Sequence, residues 1–376
     1  MRGARQLLTL RGRSGARRGS SLGNLEVIED GSLLIRNGII EQVGSTRRLE
    51  NLIETRVATE VAVNGAVVMP GFVDASIAAH ASVAPSGRLN ASAFFDRCSS
   101  LLRSCLQHGT LHAQLRVDAP GGDLRPSFSA LRQITTLGGH NRSLTRCWRV
   151  EHLHPVHDLV EAIPTIAQRK LAHRLEFQIA SVDSSLKSLW AAAHAAKLGV
   201  NLVYPGAHLE QLRTGANVGR PRMVICDGAL QEDECSILSE MGAPVVTAPP
   251  RCMTKDIYEG TLRRLVQHGC ALAIASGYDE NESPVANMQI AISLAVFRLG
   301  LSVEEAIAAA TANAAHAAGV AHITGTLEVG KRADFLVLDL SDYRELPRQF
   351  GTNHVLLAFR EGKPVVNRTG HKLLLV

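Results

Sequence analysis

The middle of the chain alternates short apolar segments with longer segments of helical periodicity, and this alternation constrains the fold more than any other feature. Repeated strand–helix units predict a parallel sheet covered by helices. The candidate strands are residues 66–73, 111–117, 175–179, 200–203, 223–226, 245–248 and 272–275, and the candidate helices are residues 93–108, 184–198, 232–241 and 253–268. The repetition predicts an α/β fold of the (β/α)8 TIM-type barrel class, whose functional side chains gather at the carboxyl ends of the strands.

Both ends of the chain have the pattern of β structure. Residues 31–44 form two apolar runs joined by Asn37-Gly38, which is a strong hairpin signal because both residues tolerate positive φ. Near the C-terminus, residues 334–339 and 355–366 are again strand-like. Strands at both ends that enclose an α/β middle predict one small β domain assembled from the two termini.

The length of the chain is consistent with this division. Its 376 residues accommodate a barrel of about 250 residues and a second, smaller unit. We therefore predict an α/β barrel over residues 69–324 and a small β-sandwich domain built from residues 1–68 and 325–376.

Composition and charge limit the classes of partner. The net charge is +5 and only 4% of the residues are aromatic, so the chain lacks the aromatic platforms on which single-stranded nucleic acid stacks. Arginines are concentrated near the N-terminus, a pattern also seen in targeting peptides and nucleic-acid-binding arms, at Arg2, Arg5, Arg11, Arg13, Arg17 and Arg18. Strand-like residues interrupt this stretch, so we predict a solvated, arginine-bearing loop between two strands.

The sequence also argues against a membrane protein and a disulfide framework. No apolar run approaches the roughly 20 residues that are needed to cross a bilayer. The seven cysteines are scattered and none forms a Cys-x-x-Cys pair, so neither a disulfide framework nor a structural zinc site is supported. We predict a cytoplasmic protein that binds neither nucleic acid nor membrane.

Several segments resemble the amidohydrolase superfamily. They are residues 37–40, 70–74, 309–315 and 325–334, among which 70–74 reads Pro-Gly-Phe-Val-Asp. Other segments, at residues 8–12, 108–110, 283–284 and 350–355, are more specifically similar to the imidazolonepropionases of histidine degradation. The similarity is colinear from about residue 7 to residue 367. The resemblance implies the barrel fold of the superfamily and an assembly in which barrels often pair.

The resemblance also implies chemistry that the residues of this chain do not provide. Superfamily members hydrolyse non-peptide C–N bonds in cyclic amides, using a zinc or iron ion to activate water and a carboxylate to shuttle the proton. By resemblance, the metal-ligand and proton-shuttle positions fall on Ser76, Ala78, Val203, Cys226, Ala229 and Gly277. Valine and alanine carry no donor atom, and a serine hydroxyl is a poor zinc ligand. We therefore predict that the usual metal site is lost, with no cofactor and no metal-dependent hydrolysis.

Other residues are candidates for a replacement site. His80 and Asp279 lie near lost positions and are weak catalytic candidates, although a structural histidine and a loop aspartate are the common alternatives. His152 and His154 share a strand face and form a candidate start to a metal site that has no matching third ligand. Arg88 ends a segment that resembles a glycine-rich turn of the family, so it is a candidate to bind a substrate carboxylate.

Three functions are compatible with these residues. The first is an imidazolonepropionase-like protein without the usual metal site, a pseudoenzyme that binds a small molecule or serves as a partner subunit. The alternative is an active hydrolase of a cyclic amide or related C–N bond that uses a rebuilt site. The third is a structural partner of an active relative. We predict a small-molecule ligand and either a homodimer or pairing with a related amidohydrolase.

Overall fold

The structure is a computed structural model that describes residues 1–12, 14–63, 65–80, 89–118, 124–138, 143–150, 155–179, 184–253 and 260–370. Its strands are β1 Ala4–Leu8, β2 Val27–Arg36, β3 Ile39–Ser45, β4 Val67–Pro70, β5 Phe72–His80, β6 Thr110–Asp118, β7 Leu144–Val150, β8 Arg174–Gln178, β9 Gly199–Tyr204, β10 Met223–Cys226, β11 Val245–Thr247, β12 Leu272–Ile274, β13 Phe335–Leu338, β14 Val355–Arg360 and β15 Lys363–Asn367.

The α-helices mostly follow the strands of the middle region. They are α1 Thr46–Glu50, α2 Ala91–Gln107, α3 Arg125–Gly138, α4 Val156–Gln168, α5 Ser184–Ala195, α6 Leu209–Val218, α7 Glu232–Met241, α8 Thr261–Gln267, α9 Met288–Phe297, α10 Val303–Ala310 and α11 Ala312–Ala318. Among the described residues, no helix is both long and apolar enough to span a membrane.

Eight parallel strands form the barrel. Strands β5 to β12 pair in sequence order, and one helix, α2 to α8 in turn, lies between each strand and the next. The first and last strands approach each other where the Ala78 amide donates to the carbonyl of Tyr278 at 2.8 Å, next to a parallel bridge between Ile77 and Tyr278. The predicted TIM-type fold class is confirmed.

The β domain is a separate sheet with strands from both ends of the chain. Its order is β15-β14-β13-β4-β1-β2-β3, and Phe335 stacks on Phe359 at a centroid distance of 4.6 Å in its own apolar core. The Asn37-Gly38 hairpin is confirmed, since both residues have positive φ, 52° and 81°. The domain limits at residues 68 and 325 stay predictions.

Gly71 connects the two units within the Pro-Gly-Phe-Val-Asp segment. It lies between β4 of the β domain and β5 of the barrel. A Cβ atom at this position would lie 2.4 Å from Cδ1 of Leu111, closer than side chains tolerate. A glycine is therefore required for β4 to continue directly into the first barrel strand.

Asp74 links the first strand of the barrel to the segment that follows the last strand. Its buried Oδ1 accepts hydrogen bonds from the backbone N–H groups of Ser76, at 3.3 Å, and Ser276, at 3.1 Å, so it joins β5 to the segment after β12. Its Oδ2 is buried and has no hydrogen-bond partner among the described residues. Burial raises the pKa of Asp74 to about 6, although the hydrogen bonds from Ser276 and Ser76 oppose this shift.

Apolar side chains fill part of the barrel interior and pack against α11. Val73, Val203 and Ala273 belong to one buried cluster that also includes the alanines of α11. Arg174, the first residue of β8, donates to the carbonyl of Ala317 in α11 at 2.6 Å. Helix α11 therefore lies against the amino end of β8, on the side of the barrel opposite the carboxyl ends of the strands.

The expectation of a solvated N-terminal arginine loop was wrong for Arg17. This side chain is only 2% exposed. Its Nη1 donates to the carbonyl of Asn24 at 2.7 Å, and its Nη2 donates to the carbonyl of Leu10. Arg17 is buried because the loop carbonyls around it supply the acceptors that its guanidinium needs.

Replacing Asp74 by asparagine tests the cost of burying this carboxyl. The raised pKa means that the folded state binds the proton more tightly, so the contribution of Asp74 to stability falls as pH rises from its ordinary pKa of 3.8 to about 6. Between these limits, the difference in unfolding free energy between wild type and Asp74→Asn should change by roughly 3 kcal/mol. Urea denaturation measures this difference. The exposed Asp233→Asn is the control, and an unchanged difference for Asp74→Asn would contradict the assignment.

Candidate functional site

The positions that the sequence resemblance assigned to metal ligands do not converge on a set of donor atoms. Ala78 is buried at the end of β5, and Val203 packs in the apolar interior of the barrel. Cys226 belongs to the buried cluster that includes residues of α7, and burial raises the pKa of its thiol. None of these three side chains presents a ready ligand at the barrel opening.

The remaining family positions are equally unsuited to a metal. Ser76 is buried, and Ala229 is exposed. Gly277, which the sequence resemblance assigned to the proton-shuttling aspartate, has a φ of +61°, and a Cβ there would lie 2.3 Å from Cβ of Ala248. An aspartate side chain does not fit at Gly277 without displacement of Ala248.

A buried arginine occupies the barrel mouth. Arg116 and Asp118 alternate with Val117 along β6, so their side chains share one face of the strand. The Arg116 guanidinium donates two hydrogen bonds to the carboxylate of Asp118. Nε donates to Oδ1 at 2.8 Å, and Nη2 donates to Oδ2 at 2.7 Å. Its Nη1 is 3.5 Å from Oε1 of Glu176 on β8. Only 3% of the Arg116 side chain is exposed.

The two weak catalytic candidates from the sequence meet at this arginine. Nε2 of His80 lies 2.9 Å from Oδ2 of Asp279, and Nδ1 of His80 lies 3.8 Å from Oδ2 of Asp118. Nη2 of Arg116 is 3.6 Å from the same Asp279 oxygen. We call His80, Arg116, Asp118, Glu176 and Asp279 the mouth cluster.

The electrostatics of the mouth cluster favour charged side chains. The pKa of His80 is raised, chiefly by its hydrogen bond to Asp279, while burial opposes the shift. Burial would raise the pKa of Asp279, but the His80 hydrogen bond, the Asn281 amide and nearby positive charge lower it overall. For Arg116, burial lowers the pKa and the carboxylates of Asp118 and Glu176 more than reverse this effect.

Further pairs continue the polar network along the barrel axis. Arg149 of β7 donates through Nε to Oε1 of Glu176 at 3.0 Å, so Glu176 is shared between two arginines. Below it, Nη1 of Arg174 lies 3.3 Å from side-chain oxygens of both Gln114 and Asn201. Arg116 and Arg149 therefore share a carboxylate partner, whereas Arg174 is held by amide and carbonyl oxygens.

The mouth cluster contains a donor set that a metal ion could use, but Arg116 competes for it. The donor atoms of His80, Asp118 and Asp279 all lie within 4.8 Å of one another, a grouping not repeated elsewhere among the described residues. The Arg116 guanidinium already binds the two carboxylates. Two unit charges about 4 Å apart interact by about 4 kcal/mol at an effective dielectric of about 20, and a divalent ion doubles this repulsion. The set therefore fits a metal poorly while Arg116 is present.

A groove opens beside the mouth cluster. It has a volume of about 540 Å³ and lies between α2 and residues 278–290, with His80 in its wall. Phe94 and Pro284 contribute apolar surface, and Arg97 and Glu280 contribute opposite charges whose Nη1 and Oε2 atoms are 3.8 Å apart. Arg97 also donates to the carbonyl of His80 at 3.0 Å. The groove has the size of a small-molecule site.

Three candidates from the sequence cannot be placed. Arg88, His152 and His154 lie outside the described residues, and their roles stay predictions. The sequence interpretation missed Arg116, Asp118 and Glu176. The available signal was the presence of charged residues within strands that are otherwise apolar, Leu-Arg-Val-Asp in β6 and Arg-Leu-Glu-Phe in β8.

Comparisons with known proteins agree with this fold. The amidohydrolase family profile matches residues 257–365. Imidazolonepropionase of Geobacillus kaustophilus is 27% identical, and the alignment covers 98% of this chain and 97% of that protein. Imidazolonepropionase of Deinococcus radiodurans is 28% identical, and the alignment covers 93% of this chain and 96% of that protein. Among solved structures, Escherichia coli guanine deaminase aligns with a TM-score of 0.70 at 16% identity, covering 98% of each chain. Zinc-bound atrazine chlorohydrolase TrzN from Arthrobacter aurescens aligns with a TM-score of 0.78 at 13% identity, covering 97% of this chain and 94% of that chain.

The family profile over residues 257–365 and these relatives make the chain similar to the amidohydrolase superfamily. Within that superfamily, it is similar to the imidazolonepropionases over nearly its whole length. The resemblance inferred from the sequence is confirmed.

An imidazole titration tests the electrostatics of the site. Asp279→Asn removes the negative charge and the hydrogen bond that raise the pKa of His80, so the His80 pKa should fall. Histidine proton resonances followed by NMR across the pH range measure this change, with His80→Gln used to assign the signal. Glu280→Gln alters a neighbouring, partly exposed carboxylate and should leave the His80 pKa nearly unchanged. Equal pKa values in wild type and Asp279→Asn would refute the pairing.

Proposed function

We propose that this chain is an imidazolonepropionase-like protein that binds a small carboxylate at the barrel mouth and does not perform metal-dependent hydrolysis at the superfamily's usual site. The observation that carries the proposed absence of metal-dependent hydrolysis is the buried guanidinium of Arg116 between Asp118, Glu176 and Asp279. A positive side chain is built into the mouth, and the family ligand positions hold residues such as Ala78 and Val203 instead of imidazoles.

The protonation states of the mouth cluster support this proposal. Hydrolysis of a cyclic amide needs an activated water and a base that accepts its proton. Asp279 has a lowered pKa and already binds His80, so it is a weak base at neutral pH. His80 has a raised pKa, which favours the protonated imidazolium, a form that has no free lone pair to accept a proton. The cluster is therefore better suited to holding charge than to moving protons.

The groove supports a small carboxylate as the ligand. Its wall combines apolar side chains, including Phe94 and Pro284, with His80, Arg97 and the Glu280 carboxylate that lies 3.8 Å from Arg97. A guanidinium binds a carboxylate with two parallel hydrogen bonds, so Arg97 is suited to the charged end of such a ligand. The sequence-based candidate Arg88 has the same chemistry. Imidazolone propionate, the substrate class in the name of the similar relatives, is a ligand of this kind.

The second candidate function is a hydrolase with a rebuilt metal site. The observation in its favour is the set of donor atoms on His80, Asp118 and Asp279 within 4.8 Å of one another. It requires the metal to coexist with Arg116 or to displace it. Pairing with a second copy or a related amidohydrolase, and a cytoplasmic location, stay proposals that rest on the sequence.

Metal analysis and a hydrolysis assay decide between the two functions. We expect purified protein to contain far less than one equivalent of zinc, iron or manganese, and to leave a cyclic amide such as imidazolone propionate intact. About one equivalent of metal, together with hydrolysis that a chelator abolishes and His80→Ala eliminates, would instead establish the second function.

Ligand binding is tested by thermal unfolding. Imidazolone propionate at about 100 times its dissociation constant should stabilise the native state by about 2.7 kcal/mol, which corresponds to an increase of a few degrees in Tm. Arg97→Ala should remove most of this increase. Arg103→Ala, an exposed arginine on the same helix, is the matched control and should retain it. An increase that is equal in wild type and Arg97→Ala would exclude Arg97 from the site.

A further inference from the structure

We propose that the Arg116 guanidinium occupies the place of a divalent cation in the barrel mouth, and that His80, Asp118 and Asp279 form a latent metal site which opens only when the charge of Arg116 is removed. The inference rests on the proposed absence of a resident metal in the wild-type protein. It goes further in assigning a role to Arg116 and a ligand set that differs from the family positions.

The position of the guanidinium is the first argument. Nη2 of Arg116 is 2.7 Å from Oδ2 of Asp118 and 3.6 Å from Oδ2 of Asp279. One oxygen from each of these two carboxylates lies, with a ring nitrogen of His80, in a set of donor atoms that are all within 4.8 Å of one another. The guanidinium and a metal ion would therefore bind the same two carboxylates, and one excludes the other.

The donor chemistry is the second argument. One imidazole and two carboxylates suit zinc, cobalt(II) or manganese(II), whose bonds to such ligands are about 2.0–2.2 Å long. The ligands are also oriented by neighbouring groups. Oδ1 of Asp279 accepts the backbone N–H groups of Asn281, at 3.0 Å, and Glu282, at 3.3 Å, which leaves Oδ2 directed to His80. Such supporting contacts are a usual feature of metal sites.

The location of the donors is the third argument. His80 ends β5, Asp118 ends β6, and Asp279 follows β12, so all three lie at the carboxyl ends of adjacent barrel strands. His80 also lies in the wall of the groove, with 27% of its side chain exposed. A metal from solution can therefore reach the cluster without unfolding of the barrel.

A double variant tests the proposal directly. Arg116→Gln removes the guanidinium, and Glu176→Gln removes the carboxylate that would otherwise lose one of its two arginine partners. The other partner, Arg149, is 22% exposed and can be solvated by water. After dialysis against cobalt(II) and then metal-free buffer, the double variant should retain about one equivalent of cobalt, with visible absorption from the bound ion and an increase in Tm. Wild type and Arg116→Lys, which keeps the positive charge, should retain at least tenfold less. Adding Asp279→Asn to the double variant should abolish retention.

The proposal is overturned if the double variant has native circular dichroism and cooperative unfolding but binds no more cobalt than wild type. It is also overturned if Arg116→Lys binds as much as the double variant, because the positive charge would then not exclude the metal.

A measurement on the wild-type fold covers the case in which the double variant does not fold. If Arg116 is the resident cation, Asp279→Asn lowers Tm by the same amount with and without a chelator, and the chelator leaves the wild-type Tm unchanged. A chelator effect on wild type that Asp279→Asn removes would show a metal in this cluster and refute both proposals. A chelator effect that Asp279→Asn retains would place a metal elsewhere and refute the proposed function alone.

Discussion

A guanidinium enclosed in a barrel requires carboxylates within hydrogen-bonding distance, because an unpaired buried charge is far more costly than a paired one. Arg116 imposes this requirement on the upper barrel. Asp118 meets it from the same strand, Glu176 from β8 and Asp279 from the segment after β12. Two of these carboxylates have a second positive partner, since Glu176 also pairs with Arg149 and Asp279 also binds His80. The arrangement of the mouth follows from this one charge.

The same segment that completes the charge network also closes the barrel. Ser276 donates its backbone N–H to Asp74, Tyr278 accepts one from Ala78, and Asp279 then reaches His80. Barrel closure and site assembly are therefore one structural event. A change that loosens the contact between β5 and residues 276–279 would disturb the fold and the mouth cluster together.

The sequence predicted the parts of the structure that depend on local pattern. Strand–helix alternation predicted the barrel, and Asn37-Gly38 predicted a hairpin in which both residues adopt positive φ. The mouth cluster was only partly predicted. His80 and Asp279 stood out because they lie near family positions, but their contact depends on barrel closure, which no local pattern encodes.

Arg116 and Arg17 were not recognised for a related reason. An arginine in a sequence is usually exposed, and whether it can be buried depends on acceptors supplied from elsewhere in the chain. Arg116 finds Glu176 two strands away in the barrel, and Arg17 finds carbonyls in its own loop. Both outcomes depend on where the tertiary structure places the acceptors. Residue type alone therefore led to a wrong prediction for Arg17 and to no prediction for Arg116.

Helix α11 covers one side of the barrel and so limits the direction from which a molecule can approach. Its alanines pack into the barrel interior, and the carbonyl of Ala317 binds Arg174 at the amino end of β8. Helix α11 therefore lies on the side of the barrel opposite the groove that His80 lines. A molecule that reaches His80 enters and departs by the same route, so its residence time is governed by side chains of the groove and not by the barrel interior.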